Sequence, residues 1–207
     1  MISCWIRIAC LIGLLGCGRS GHAQQATPLH TFFQRNYDST IIYQSGLRER
    51  DGPAYQILAK HQGQVYFFTY QSPYRDARGR YFPGNLVRHF ARQEAAFRVA
   101  VPDTNRFLLP ATVRPDTLRR YWQRLRPRQV WAIKGDGPGG PVGSTCVIDD
   151  GDHNTFYLID RRGIRPASFY APAYWETCLG QDPNRQQALT LIKMFGAISR
   201  AGQQRQP

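Results

Sequence analysis

A single α+β domain, mainly an antiparallel sheet with about three helices, is the fold class this sequence predicts. Short β-prone runs recur with turn residues between them, as in "AYQILAK", "HQG" and "QVYFFTY". Two later stretches, "DTLRRYWQRL" and "DPNRQQALTLIKMFGAI", space their apolar residues at helical intervals instead. At 207 residues and 42% hydrophobic content, the chain can bury a core of its own, and it carries neither an internal repeat nor a second domain boundary.

The N-terminus reads as a leader. In "MISCWIRIACLIGLLGCGRSGHAQQ", Arg7 precedes an apolar run from Ile8 to Gly16. That run is too short to cross a bilayer as a helix, which takes about 20 residues, and it fits the apolar centre of a secretory signal. Two cleavage points fit. Gly21-His22-Ala23 would release a chain starting at Gln24, with 1–23 as signal peptide. Leu14-Leu15-Gly16-Cys17 resembles a lipobox, with 1–16 as the signal and Cys17 as a lipidated first residue. Both imply export to the periplasm, the cell surface or the medium, and only the Cys17 anchor would tie the chain to a membrane. Residues 24–37 are expected to be loose, 38–200 to form the domain, and 201–207 to be a disordered tail.

Within the domain, "STIIYQS" (39–45) predicts a first strand. "AYQILAK" and "QVYFFTY" predict a hairpin across "HQG", with Tyr55, Ile57 and Ala59 on one face and Gln56, Leu58 and Lys60 on the other. Residues 72–85 are rich in turn formers. Asn85 is a good cap for a helix to Phe97, with Leu86, Val87, Phe90, Ala91 and Phe97 as its stripe. "FRVAVPDTNRFLLP" holds one or two short strands. Asp116 then caps a second helix, with Leu118, Tyr121, Trp122 and Leu125 on one side, ended by Pro127. "QVWAIK" predicts a strand and "GDGPGGPVGS" (135–144) a flexible loop. In "TCVIDDGDHNTFYLIDRRG", two β-prone runs flank "DGDHN", which predicts a hairpin turn over Asp149 to Asn154. Phe156 and Leu158 would face one way, Tyr157 and Ile159 the other, so this strand should be covered on both sides. "RRG" is a second turn and "PASFY" a third strand. Asp182 as cap and Pro183 at the first helical position open a last helix that buries Ala188, Leu191, Ile192 and Phe195.

Cys4, Cys10 and Cys17 lie in the leader, which leaves Cys146 and Cys178 to pair as a disulfide in an exported chain. The formal net charge is +13, and a cut after Ala23 leaves +11. Lys60, Lys134 and Lys193 are the only lysines among 27 basic residues, so the excess is nearly all arginine and reads mainly as a solvated surface. Two stretches are candidates for binding. "RPDTLRRYWQRLRPR" offers Arg119, Arg120 and Arg124 to an anion. "SFYAPAYWETCLG" offers Tyr174 and Trp175 as flat rings for a sugar. An anionic glycan or another envelope component fits these better than nucleic acid, which an exported chain does not meet.

The acidic knot of Asp149, Asp150 and Asp152 fails as a calcium loop, because Gly151 and His153 occupy positions that need oxygen ligands. Cys146 and Cys178 lack the close spacing of a zinc site, and no nucleophile elbow, zinc-protease helix motif or phosphate loop is present. No metal and no cofactor is implied. The leading reading is a non-enzymatic envelope protein. The alternative is a small hydrolase or metal-dependent enzyme using Asp149, Asp152 and His153. Finally, "FTYQSPYR", "YFPGNL", "IDDGD…FYLI" and "SFYAPAYWETCLG…RQ" together resemble uncharacterised exported proteins of Bacteroidota-type bacteria. The resemblance spans most of the mature chain and implies no activity or site residue.

Overall fold

The structure is a computed structural model that describes residues 27–46, 54–71, 108–136, 140, 141, 143 and 145–203. The leader with Cys17, the loop at 72–85 and the helix expected at 85–97 lie outside these residues. Six strands form one antiparallel sheet: β1 Ser39–Gly46, β2 Ala54–His61, β3 Gln64–Gln71, β4 Leu108–Pro110, β5 His153–Asp160 and β6 Gly163–Tyr170, in the order β4-β3-β2-β1-β5-β6. The helices are α1 Pro28–Asn36, α2 Pro115–Arg124, α3 Pro127–Val130, α4 Pro172–Leu179 and α5 Pro183–Gln203. The α+β class is as expected. The helices are more numerous than the three expected, because α1, α3 and α4 were not read from the sequence.

Strand alternation is what builds the two layers. Leu158, Ile41, Leu58 and Phe67 are register partners across four strands and bury one face. That face packs against Leu118 and Trp122 of α2 and against Ala188, Leu191, Phe195 and Ile198 of α5. One residue along, Tyr157, Ile42, Ile57 and Phe68 form the row on the opposite face, where Leu29 and Phe33 of α1 cover it. Each fully buried Leu, Ile or Phe stabilises the fold by about 1.5–3 kcal/mol, so β1, β2 and β5, buried on both faces, anchor the domain.

Residues 24–37 are not wholly loose. Thr27 caps α1 in a reciprocal box: its hydroxyl accepts from the His30 N–H at 3.4 Å, while His30 Nδ1 accepts from the Thr27 N–H at 3.2 Å. The signal was legible as Thr27-Pro28, a cap followed by proline at the first turn. At the other end, α5 continues to Gln203, so 201–203 of the expected disordered tail are helical, and 204–207 lie outside the described residues. Asp182 caps α5 as expected, its Oδ1 accepting from the N–H groups of Asn184 and Arg185, both at 2.9 Å.

Two predicted strands are corrected. "QVWAIK" is the single turn α3 followed by irregular chain, and it buries Val130 and Ile133. Those two are three residues apart, the spacing of a turn and not of a strand. "TCVID" has no strand either. β5 bonds β1 on one side and β6 on the other, so neither edge is free for a further strand. The hairpin turn therefore falls at Arg161-Arg162, and of the expected turn Asp149 to Asp152 is irregular chain while His153 and Asn154 are the first residues of β5. Two tyrosines satisfy that chain's backbone instead. Tyr170 accepts from the Gly151 N–H at 2.8 Å and donates to the Ile148 carbonyl at 3.2 Å, and Tyr174 donates to the Val147 carbonyl at 2.6 Å.

Candidate binding site

Three elements meet at the start of β1. The α3 turn brings Arg128 and Trp131, the β5–β6 turn brings Asp160, Arg161 and Arg162, and Asp38 and Ser39 complete a cleft of about 640 Å3. Each side chain is placed by a local device. Asp160 Oδ1 closes the hairpin by accepting from the N–H groups of Arg162, at 2.8 Å, and Gly163, at 3.1 Å. Asp38 Oδ2 accepts from the Gln62 N–H at 2.8 Å, and its Oδ1 pairs with Arg161 at 3.2 Å. Arg165 of β6 donates to the carbonyls of Trp131 and Ile133 and pins that loop against the sheet. The Trp131 ring packs on Trp122, centroids 6.3 Å apart, and its Nε1 is buried without a partner among the described residues.

The chemistry of the cleft follows from which groups are already used. Asp160 is committed to the turn. The Arg161–Asp38 pair is solvent-exposed, with the Arg161 side chain 80% accessible, and such pairs contribute little and re-form readily. Arg128 and Arg162 are exposed and have no protein acceptor among the described residues. Guanidinium groups match carboxylates in bidentate geometry, and an indole face suits the C–H face of a sugar.

The residues singled out from the sequence lie elsewhere. Arg119, Arg120 and Arg124 are exposed on α2 while Leu118 and Trp122 are buried, so they form the wet face of an amphipathic helix and line neither cleft described here. Trp175 is 4% exposed, against Gly140, whose added Cβ would lie 2.7 Å from the indole Nε1. Tyr174 stands edge-on to it at 75° and uses its hydroxyl on Val147. The pair is therefore a packing corner and not a flat sugar platform. Around it, Cys146 and Cys178 are bridged, with Cα atoms 6.4 Å apart, a bond that persists in a non-reducing environment.

Asp149, Asp152 and His153 do not converge on a pocket. Asp152 Oδ2 accepts from Asn154 Nδ2 at 2.8 Å, and Asn154 Oδ1 accepts from the Tyr43 hydroxyl at 2.7 Å. The His153 ring lies against Tyr170, centroids 4.7 Å apart. Among the described residues no group of three or more His, Cys, Asp or Glu side chains could hold a metal ion.

One buried charge cluster was invisible in the sequence. Arg185, 7% exposed, sits 3.2 Å from Glu176 and 3.8 Å from Asp136, and donates to the Gly180 carbonyl. Burial pushes the Asp136 carboxyl up, Arg185 pulls it down, and Asp182 and Glu176 push it up again. The cluster ties Asp136, at the start of the glycine-rich stretch, to the α4–α5 corner. The first residue of that stretch is closely packed, since a Cβ on Gly135 would lie 2.4 Å from the Ser168 carbonyl oxygen.

No protein family, curated protein or solved structure matches this chain. Among the described residues no helix is long and apolar enough to cross a membrane.

Proposed function

We propose that the chain is an exported, non-catalytic envelope protein that binds an anionic glycan at the Arg128–Trp131–Arg162 cleft. One observation carries the reading: two guanidinium groups without protein acceptors flank an indole in a cleft of about 640 Å3. Export is supported by the Arg7 leader and by the Cys146–Cys178 bridge. Cleavage after Ala23 or lipidation of Cys17 then sets whether the protein is soluble or anchored. The resemblance to exported proteins of Bacteroidota-type bacteria belongs to the same reading.

Calorimetry with oligogalacturonate and its neutral methyl ester tests the site. The acid form is expected to bind, more weakly as salt rises. Arg128→Ala with Arg162→Ala should weaken it by about tenfold or more, the scale of a lost charge-assisted hydrogen bond. Substituting Arg119, Arg120 and Arg124 should leave it unchanged. Equal binding of acid and ester, or a loss that follows the α2 arginines, would refute the assignment.

A further inference from the structure

A second cavity, of about 510 Å3, lies at the far end of β1 and within the size range of small-molecule sites, about 300–1,000 Å3. Its floor comes from strand register. Next to the apolar row described above, the row on the same face reads Phe156, Tyr43, Gln56 and Thr69, so three polar side chains from β1, β2 and β3 lie side by side. Its roof is the last turn of α5, through Ser199 and Gly202.

The polar side chains here can accept hydrogen bonds, and two of their acceptor atoms are unused among the described residues. Gln56 Oε1 and Ser199 Oγ are buried without a hydrogen-bond partner among the described residues, a state that native proteins rarely leave unanswered. Tyr43 spends its proton on Asn154 Oδ1 at 2.7 Å, so only its oxygen lone pairs remain. Burial pushes that phenol's pKa up, Ser45 pulls it down, and the charge of Asp152 pushes it up again, so it stays protonated at neutral pH. The final carbonyls of α5 have no partner within the helix. A ligand carrying hydroxyl groups can donate to these acceptors and accept from the hydroxyls of Thr69 and Thr112. None of the described lining residues is charged, so they offer a buried ammonium no counterion, and a helix C-terminus alone offsets little of that desolvation. Phe67 supplies an apolar wall for C–H groups.

We propose that this cavity binds a small neutral polyhydroxylated ligand of mono- or disaccharide size. The assignment is independent of the arginine cleft. Calorimetry on the mature chain would use glucose, galactose, N-acetylglucosamine, maltose and cellobiose, with glucosamine and gluconate as charged comparators. At least one neutral sugar is expected to bind saturably and more tightly than both comparators. Gln56→Leu, which keeps bulk and removes the acceptor, should weaken that binding by about tenfold. Ser199→Leu, which fills the cavity, should abolish it with Tm unchanged or raised, which separates loss of the site from loss of the fold. Arg128→Ala with Arg162→Ala should leave it intact. The proposal is overturned if no neutral sugar binds, if a charged comparator binds more tightly, or if folded Ser199→Leu still binds.

Discussion

The sheet and the connection from Trp131 to Asp152 are held by different forces. In β1, β2 and β5 side chains alternate between two buried faces, and each backbone is bonded by strands on both sides. Among its described residues the connection has no such ladder. It is fastened at separate points: by Arg165 at the Trp131 and Ile133 carbonyls, by Asn184 at the Lys134 N–H, by Tyr170 and Tyr174 between Val147 and Gly151, and by the Cys146–Cys178 bridge. The comparison teaches that a β-prone run becomes a strand only where a neighbouring edge is open to it. Val147, 76% exposed in a run that looked like the hairpin partner of β5, finds both edges of β5 taken by β1 and β6.

The two regions should therefore fail independently. The largest expected effect is in the sheet. Phe156→Ala, at a site with no exposure, should lower unfolding stability by about 3–5 kcal/mol in urea titrations. The loss should be the same in oxidised and reduced protein, as for sites that share no partner. A loss that depends on the disulfide would show that the regions are coupled.

The connection should respond to reductant. Breaking a bridge between residues 32 apart should cost about 3–4 kcal/mol in the chain-entropy view. Hydrogen exchange on a Cys178→Ser variant should show protection lost first at 145–152, with the amides of β1, β2 and β5 still protected. Simultaneous loss in both regions would collapse the distinction.

The sheet should respond to mild acid, through His30. Its ring is fully buried against Tyr157, centroids 4.0 Å apart, and burial lowers its pKa from 6.5 to about 4. Between those values the unfolded chain binds a proton that the folded chain refuses. Stability should thus be intact above about pH 6.5 and fall as pH drops toward 4, by about 3 kcal/mol in all. Melting curves over that window should show the slope in the wild type and a flatter one in His30→Phe. An unchanged slope in the variant would move the acid sensitivity away from α1.

Much of the sheet was readable in advance, because its cause is local. Tyr55, Ile57 and Ala59 share a face, and β5 is apolar on both sides, for reasons contained in eight residues. The α5 cap at Asp182-Pro183 is equally local. α4 was missed because its cap position is Ala171, with φ +44° and no side-chain bond, so Pro172 at the first helical position was left as the one local signal. The sites were harder to see. Arg128 and Arg162 are 34 positions apart and meet only because the β5–β6 turn lies beside α3. The polar row of Tyr43, Gln56 and Thr69 exists only in the paired register of three strands.

The residues by themselves determined the α+β class, the main strands and the last helix, since periodicity, caps and turn chemistry act within one window. Cys146 and Cys178 were the expected pair as the two cysteines outside the expected leader, and the tertiary structure brings them within bonding distance, with Cα atoms 6.4 Å apart. Tertiary structure alone decided which β-prone runs found a partner edge, which aromatics were buried, and which polar groups were left to face a cavity. The hydrogen bond from Tyr43 to Asn154 spans 111 positions. It depends on packing two distant segments at once, and no stretch of sequence short enough to read contains both ends.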